Sequence, residues 1–318
     1  MTAAVAGGPT LTRPPAVVPN GRAHIVAPSG PVPAERFDRG LRVLRRALRH
    51  EYVLADNLHE QDGYFAGTDR QRIDAMNRAL LDPDADAIFC ARGGYGVTRI
   101  LGSLDPSGLQ RCPKPIIGFS DITALLCWAL VRAGTPCVHG PVVTQMASLE
   151  DSDVQRLVDI LAGEVPVPLT AAEGTVLRGG TVEGRLVAGN LEVLRCLVGT
   201  RYIPNLDGCI LALEDVGERP YRLDRSLTQL LSSGALRGVR GIAVGHLTRC
   251  EEPKNGNLGP EAVEVVTERL GTLGVPIVTG FPFGHGTTRN AALPMGVAAR
   301  LHADDCTLEI LDPLTQPA

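Results

Sequence analysis

The feature that most constrains the fold is an alternation, from residue 24 onward, between short apolar β-branched runs and segments of helical periodicity. This alternation is typical of parallel strands joined by crossover helices. Four successive strand–helix units predict a doubly wound, mostly parallel N-terminal sheet, and a second α/β domain follows it. Strands are predicted at 24–27, 52–55, 85–91, 115–119 and 136–143 in the first half, and at 181–187, 209–213, 241–246, 276–280 and 295–301 in the second.

The length of 318 residues accommodates two domains. Residues 1–21 lack the basic start and apolar core of a secretory signal, so we interpret them as a flexible leader and expect a cytoplasmic protein. The predicted N-terminal domain spans 22–150 and the C-terminal domain spans 181–318. Residues 151–180, where acidic residues and prolines weaken the periodicity, are interpreted as the connection.

Composition excludes several classes of function. A net charge of −4 without a concentrated basic run argues against nucleic-acid binding. No apolar run approaches the roughly 18 residues of a membrane span. The eight cysteines are scattered singly, which disfavours a disulfide framework or a zinc site. Only two of the 31 basic residues are lysines, so lysine-based catalysis is disfavoured.

A serine lies at a predicted strand-to-helix junction, in the segment 116–123. This is the geometry of a nucleophile elbow, in which Ser120 is exposed at the sheet edge and the amide of Asp121 can face a developing oxyanion. Ile122 stands where the usual elbow motif has its second glycine. In the alternative interpretation, Ser120 or Asp121 is a helix N-cap.

A glycine-rich loop, 92–96, follows another predicted strand and has neither the Rossmann nor the Walker spacing. It either supplies a second oxyanion amide or forms a plain tight turn. Arg92 is either a carboxylate anchor or a surface cation. The helix predicted over 34–49 carries an arginine-rich face, which we interpret as solvent-exposed.

A serine nucleophile needs a base and a group that orients the base. Of seven histidines, His285 stands out because it lies in a glycine frame shortly after a predicted strand. The alternative is an ordinary loop histidine. Glu214 and Asp215 follow the strand predicted at 209–213. One of them orients the base, or the two form an acidic turn that begins the next helix. Spacing does not choose between the two carboxylates.

Together these motifs resemble the LD-carboxypeptidase family of serine peptidases, which includes muramoyl-tetrapeptide carboxypeptidases and microcin C self-immunity proteins. The resemblance extends from about residue 24 to residue 311 and depends on the order of the motifs. The matching segments are 93–96, 118–121, 213–215 with 221–225 downstream, and 284–286.

The resemblance implies a catalytic triad of Ser120, His285 and Glu214, with the serine in the first domain and the other two residues in the second. It also implies an oxyanion hole formed by the amide of Asp121 and a glycine of the 93–94 loop, taken as Gly94. No metal and no cofactor is expected.

Members of this family remove a C-terminal D-amino acid from an L,D-peptide bond, typically D-alanine from murein tetrapeptide in cell-wall recycling. The expected partner is therefore a small peptide, not a nucleic acid or a membrane, and a homodimer is compatible with the resemblance. One alternative is hydrolysis of toxic peptidyl- or aminoacyl-nucleotides, although the sequence reveals no platform for the base among its 4% aromatic residues. Another is a catalytically silent ligand-binding protein.

Overall fold

The computed structural model describes residues 11–252 and 259–316. Fourteen strands within these residues form two sheets. In chain order they are β1 (Arg22–Val26), β2 (Glu51–Leu54), β3 (Ala87–Cys90), β4 (Ile116–Gly118), β5 (Cys137–His139), β6 (Leu169–Thr170), β7 (Val176–Arg178), β8 (Thr181–Asn190), β9 (Cys209–Val216), β10 (Gly241–Thr248), β11 (Ile277–Val278), β12 (Leu293–Met295), β13 (Ala298–His302) and β14 (Thr307–Ile310).

Nine α-helices connect and cover these strands in the described part of the chain. None of them combines the length and the apolar character that crossing a membrane requires. They are α1 (Ala34–Leu48), α2 (Asp69–Leu81), α3 (Val97–Ile100), α4 (Ser107–Arg111), α5 (Thr123–Trp128), α6 (Asp151–Ala162), α7 (Leu191–Cys196), α8 (Pro220–Ser232) and α9 (Ala262–Gly271).

The first sheet has the strand order β12-β5-β4-β3-β1-β2. All strands run parallel except β12, which pairs antiparallel with β5. From β1 the chain adds β2 on one side and then β3, β4 and β5 on the other, so the order reverses between β1 and β3. Ligands of doubly wound sheets bind at such a switch point, outside the carboxyl ends of the strands. The predicted N-terminal architecture is confirmed.

The second sheet has the order β6-β14-β13-β8-β9-β10-β11-β7. Its centre, β8 to β11, is parallel, and the strands on either side of that centre are antiparallel. The second α/β unit predicted from the sequence is therefore present as a mixed sheet. Strands β6 and β7 and helix α6 all come from 151–180, so the stretch interpreted as a connection contributes structure of its own.

The single strand predicted over 295–301 is wrong. Leu293–Met295 pairs with β5 of the first sheet, whereas Ala298–His302 pairs with β8 of the second. Gly296 separates the two with a φ of 95°, a left-handed conformation that favours glycine. The chain therefore passes from one sheet to the other at this glycine, and the two sheets share a continuous segment.

Helix α1 confirms the predicted amphipathic helix. A Cβ on Gly40 would lie 1.7 Å from the carbonyl oxygen of Val143, so glycine lets the helix backbone pack directly on the 3₁₀ segment Val143–Ser148. Helix α1 and this 3₁₀ segment both line a cavity that is described below. The apolar stripe that holds the helix in place consists of Phe37, Leu41, Leu44 and Leu48, all buried.

Candidate active site

Ser120 lies immediately beyond the carboxyl end of β4, where the strand turns into a helical segment. Its φ is 64°, a left-handed conformation that costs a non-glycine residue about 1–2 kcal/mol. A Cβ on Gly118 would lie 2.8 Å from Ile122 Cγ2, so the glycine lets the helix fold back closely onto the strand. The backbone thus forms the sharp elbow predicted from the sequence, with Ile122 in place of the second glycine.

Asp121 is not an N-cap for the helix it begins. Its buried carboxylate accepts hydrogen bonds from Ser29 Oγ at 2.6 Å and from the Val97 amide at 3.0 Å. Burial raises the pKa of Asp121, and these two hydrogen bonds oppose that rise. The Asp121 side chain therefore links the elbow to the loops that follow β1 and β3. The backbone amide of Asp121 is the group that can donate to an oxyanion.

His285 joins the serine to a carboxylate of the second sheet. Its Nε2 lies 3.1 Å from Ser120 Oγ, and its Nδ1 lies 2.6 Å from Glu214 Oε2. The Glu214 side chain is fully buried, while that of His285 is 18% exposed. The Phe119 ring covers the imidazole at a centroid separation of 4.7 Å. These distances match a nucleophile, a base and an orienting acid.

Two glycines make room for this histidine. Gly284 has a φ of 97°, and a Cβ there would lie 2.6 Å from Glu214 Cγ. A Cβ on Gly286 would lie 2.3 Å from the Arg289 carbonyl oxygen. The histidine backbone is also fixed, because its carbonyl accepts a hydrogen bond from Thr248 Oγ1 at 2.9 Å. Glycine therefore flanks His285 on both sides because a larger residue at either position would clash with its neighbours.

The choice between the two adjacent carboxylates is made by strand alternation, which sends them to opposite sides of β9. Asp215 accepts hydrogen bonds from Asn190 Nδ2 at 2.9 Å, the Val216 amide at 2.8 Å and the Glu192 amide at 3.1 Å. Burial, with the nearby charge of Glu214, raises the pKa of Asp215 to about 7. Asp215 therefore organises the start of α7, and Glu214 is the carboxylate that contacts His285.

The glycine loop lies against the elbow. A Cβ on Gly93 would lie 2.8 Å from Ser120 Cβ and 3.1 Å from Ser120 Oγ. A Cβ on Gly94, whose φ is 131°, would instead face Gly30 and the Ser29 hydroxyl, at 3.0 and 3.3 Å. The loop that follows β3 thus meets the loop that follows β1 at the switch point, with Gly93 nearer the serine than the predicted Gly94.

The guanidinium of Arg92 donates a hydrogen bond to the carbonyl oxygen of Pro31. It therefore supports the segment that leads into α1. His24 pairs with Asp82 at 2.7 Å and His302 lies 3.4 Å from Glu309, so these histidines belong to other parts of the structure.

A second histidine lies between the two halves of the site. His139, on β5, is fully buried, and its ring packs edge-on against Phe119 on one side and Phe283 on the other, with centroids 6.1 Å away in both cases. Neither ring nitrogen has a hydrogen-bond partner among the described residues. Burial lowers the pKa of His139 to about 4, so this histidine is neutral at pH 7. Its position within the strand predicted over 136–143 indicates a core or edge histidine, and the structure places it in the core.

Comparison with known proteins agrees with this architecture. A family model described as the LD-carboxypeptidase N-terminal domain matches residues 23–140, and the LD-carboxypeptidase C-terminal domain matches residues 183–301. The murein tetrapeptide carboxypeptidase of Pseudomonas aeruginosa is 35% identical over 304 residues, covering 90% of this chain and 94% of that protein. The N-terminal match covers β1 to β5 of the first sheet, and the C-terminal match covers β8 to β13, of which β12 belongs to the first sheet.

Solved structures of related proteins have the same fold as this chain. The muramoyltetrapeptide carboxypeptidase of Oxalobacter formigenes superposes with a TM-score of 0.79 at 29% identity, covering 91% of this chain and 97% of that one. The microcin C7 self immunity protein MccF superposes with a TM-score of 0.86 at 24% identity, covering 96% and 99% of the two chains, and shows the shared fold.

A two-sheet α/β scaffold with a serine elbow on one sheet and a histidine–carboxylate pair on the other defines a serine hydrolase. Within that class, the chain belongs to the LD-carboxypeptidase family. It is accordingly an enzyme of the serine carboxypeptidase type.

Proposed function

We propose that this enzyme hydrolyses the L,D-peptide bond before a C-terminal D-amino acid and releases D-alanine from murein tetrapeptide. The observation that carries the proposal is the continuous contact Ser120–His285–Glu214, with separations of 3.1 and 2.6 Å. The names of the Pseudomonas and Oxalobacter relatives support the choice of substrate. Peptidoglycan recycling in the cytoplasm is the setting in which we place this reaction.

In the first half of the reaction, Ser120 Oγ attacks the scissile carbonyl carbon and transfers its proton to His285 Nε2. Glu214 accepts the Nδ1 proton in a hydrogen bond, fixes the tautomer and stabilises the imidazolium. The amides of Asp121 and of Gly94 are the proposed donors to the oxyanion. Each such donor typically contributes about a hundredfold to a thousandfold in rate.

Collapse of the tetrahedral intermediate breaks the C–N bond, and His285 Nε2 gives its proton to the departing amine. D-alanine leaves and an ester on Ser120 remains. Water then attacks this ester, again with His285 as base, and Ser120 recovers its proton. The reaction consumes one water and needs no further reactant. With the proposed domain bounds of 22–150 and 181–318, the nucleophile belongs to one domain and its base to the other.

The test is release of D-alanine from purified murein tetrapeptide by the wild type, Ser120→Ala and His285→Ala. Ser103→Ala and His59→Ala, which alter exposed residues, are the matched controls. Release by the wild type and both controls, with loss in the two site variants, is the expected result. Release by Ser120→Ala at the wild-type rate would overturn the nucleophile assignment, and no release by the wild type would overturn the substrate.

The second candidate substrate is a peptidyl- or aminoacyl-nucleotide. Tyr95, next to Gly94, is 56% exposed, and its ring lies 5.8 Å from that of Phe65, so the loop beside the serine does present an aromatic surface to solvent. A MccF structure at 25% identity carries glutamyl sulfamoyl guanosine. Hydrolysis of an aminoacyl sulfamoyl nucleoside without D-alanine release from tetrapeptide would favour this candidate.

A further inference from the structure

A cavity of about 390 Å³ opens beside His285 on the side of helix α1. His285 and Thr287 form one wall, Gln145 and Ser148 of the 3₁₀ segment form another, and Arg36 and Arg39 project from α1. The two arginines are three residues apart and therefore share a face of the helix. The described residues that line this cavity include no carboxylate, so its charge is positive.

The two arginine side chains are available to a ligand. Both are exposed. Arg39 lies 3.8 Å from Glu35, and both partners of that pair are largely solvated, so the pair contributes little. Among the described residues, Arg36 forms no ion pair. An arginine-rich face that the sequence suggests is merely solvated thus borders the catalytic histidine.

The wall between the arginines and the histidine is held in place. Gln145 Oε1 accepts a hydrogen bond from Asn290 Nδ2 at 2.8 Å, and the Gly284 amide donates to Asn290 Oδ1 at 2.8 Å. The packing of α1 on Val143–Ser148 fixes the other side. The arginines are therefore carried by an element whose position relative to His285 is set by direct contacts.

The chemistry of the reaction decides what this cavity receives. His285 protonates the departing amine, so the departing amino acid has to lie beside His285. In that amino acid the carboxylate carbon is only about 2.5 Å from the departing nitrogen. A group that binds the carboxylate must consequently lie close to the imidazole, and Arg36 and Arg39 line the same cavity as His285.

We propose that Arg36 and Arg39 form the subsite for the carboxylate of the departing C-terminal D-amino acid. This inference rests on the proposed function. It explains why an enzyme built this way acts at a free C-terminus, because an internal peptide bond would place an uncharged amide against two guanidinium groups. Arg36 and Arg39 act through binding, and the subsite is distinct from the groups that make and break bonds.

The experiment compares murein tetrapeptide with the same peptide ending in a carboxamide, in the wild type and in Arg36→Gln/Arg39→Gln. For the free acid, the double variant is expected to raise KM about 10- to 100-fold with kcat changed less than about threefold, since charge-assisted hydrogen bonds are lost. For the carboxamide, KM is expected to be unchanged. Arg45→Gln, on the opposite face of α1, is the matched control.

Three results separate the explanations. No cleavage of the free acid by the wild type would overturn the proposed function itself. Cleavage by the wild type with undiminished preference for the acid in the double variant would overturn the subsite alone. An equal loss on both peptides would also overturn it. Arg36→Lys/Arg39→Lys, which keeps the charge, is expected to restore part of the preference, and serine labelling by a fluorophosphonate should proceed at the wild-type rate in every arginine variant.

Discussion

The two halves of the site are built in different ways. The serine half is local: β4, the elbow at Ser120 and helix α5 are consecutive in sequence, and every residue of α5 is buried. The histidine half joins residues 71 positions apart, Glu214 at the end of β9 and His285 in a loop. One half is positioned by its own backbone conformation and the other by a tertiary contact between side chains.

This difference has energetic consequences. The left-handed conformation of Ser120 persists because the helix after it is locked into the core. The imidazole is oriented by one short hydrogen bond to a buried carboxylate and by steric fit around glycine. Small shifts of the His285 side chain should therefore lower activity. Variants of its neighbours test whether side-chain contacts position this half of the site.

Among substitutions that leave Ser120 in place, the largest effect is expected where the orienting hydrogen bond is lost. Glu214→Gln keeps the side-chain size but removes the charge that fixes the His285 tautomer, and kcat should fall about 10³- to 10⁴-fold. The neighbouring change Asp215→Asn is the control. Asp215 lies on the other side of β9 and accepts its hydrogen bonds from Asn190 and two backbone amides, so Asp215→Asn leaves the contact between Glu214 and His285 in place. Its kcat for D-alanine release should stay within about tenfold of the wild type. Equal losses in the two variants would contradict the assignment.

Steric fit around the histidine is tested by Gly284→Ala. The added Cβ would lie 2.6 Å from Glu214 Cγ and Oε2, so the loop must move, and kcat should fall about 100-fold because small misplacements are costly. Gly199→Ala is the matched control, since Gly199 also has a positive φ, 82°, but nothing lies within 4 Å of its added Cβ. That control should lose stability alone, as measured by denaturant unfolding. A similar kcat in the two variants would contradict the steric explanation.

His139, packed between Phe119 and Phe283, touches both halves. Its pKa is lowered to about 4, below the ordinary value of 6.5, so the folded state binds its proton more weakly than the unfolded state does. Its contribution to stability is therefore complete above pH 6.5 and is lost as the pH falls toward 4. Between pH 7 and pH 5 this loss is about 2 kcal/mol of unfolding free energy.

His139→Met removes the titrating group while filling similar space. The variant should be less stable than the wild type at pH 7, yet lose about 2 kcal/mol less than the wild type between pH 7 and pH 5. Denaturant unfolding at the two pH values measures this difference. His59→Met, at an exposed position, is the control and should keep the wild-type pH dependence. An unchanged pH dependence in His139→Met would show that this histidine is not held neutral.

A smaller effect is expected where the halves are joined. Thr123 Oγ1, one turn after Ser120, accepts a hydrogen bond at 2.9 Å from the amide of Asn190, whose side chain donates to Asp215. Thr123→Val leaves that buried amide without its acceptor, which costs about 1–3 kcal/mol of stability. We expect kcat to fall about fivefold, and Thr123→Ser, which keeps the hydroxyl, to retain the wild-type value. Equal kcat values in the two variants would show that the hydrogen bond between Thr123 and Asn190 does not support the site.

The same contrast explains what the sequence could predict. Ser120 is recognisable because a strand, a serine and a helix follow one another in the sequence, and the glycine frame marks His285. Both features are local. The choice of Glu214 over Asp215 was not available from spacing, because it depends on the side of β9 that faces the loop. Only the family resemblance favoured Glu214 before the structure.

Other features depend on long-range packing. The strand predicted over 295–301 is divided because Gly296 turns the chain between sheets, and no periodicity shows which sheet a strand joins. Arg36 and Arg39 look like part of an ordinary solvated helix face until the packing of α1 places them beside His285. The alternating first sheet could thus be predicted from the sequence, whereas the places where two distant segments meet could not.

The central claim is that Ser120, His285 and Glu214 act as one unit across the two sheets. It is tested most directly by kcat for D-alanine release in Ser120→Ala, Glu214→Gln and the double variant. Members of a triad are strongly non-additive, so Ser120→Ala should lower kcat by about 10⁴-fold or more, and the double variant should lie within about threefold of Ser120→Ala alone. A further loss in the double variant equal to that of Glu214→Gln in the wild-type background would contradict the claim.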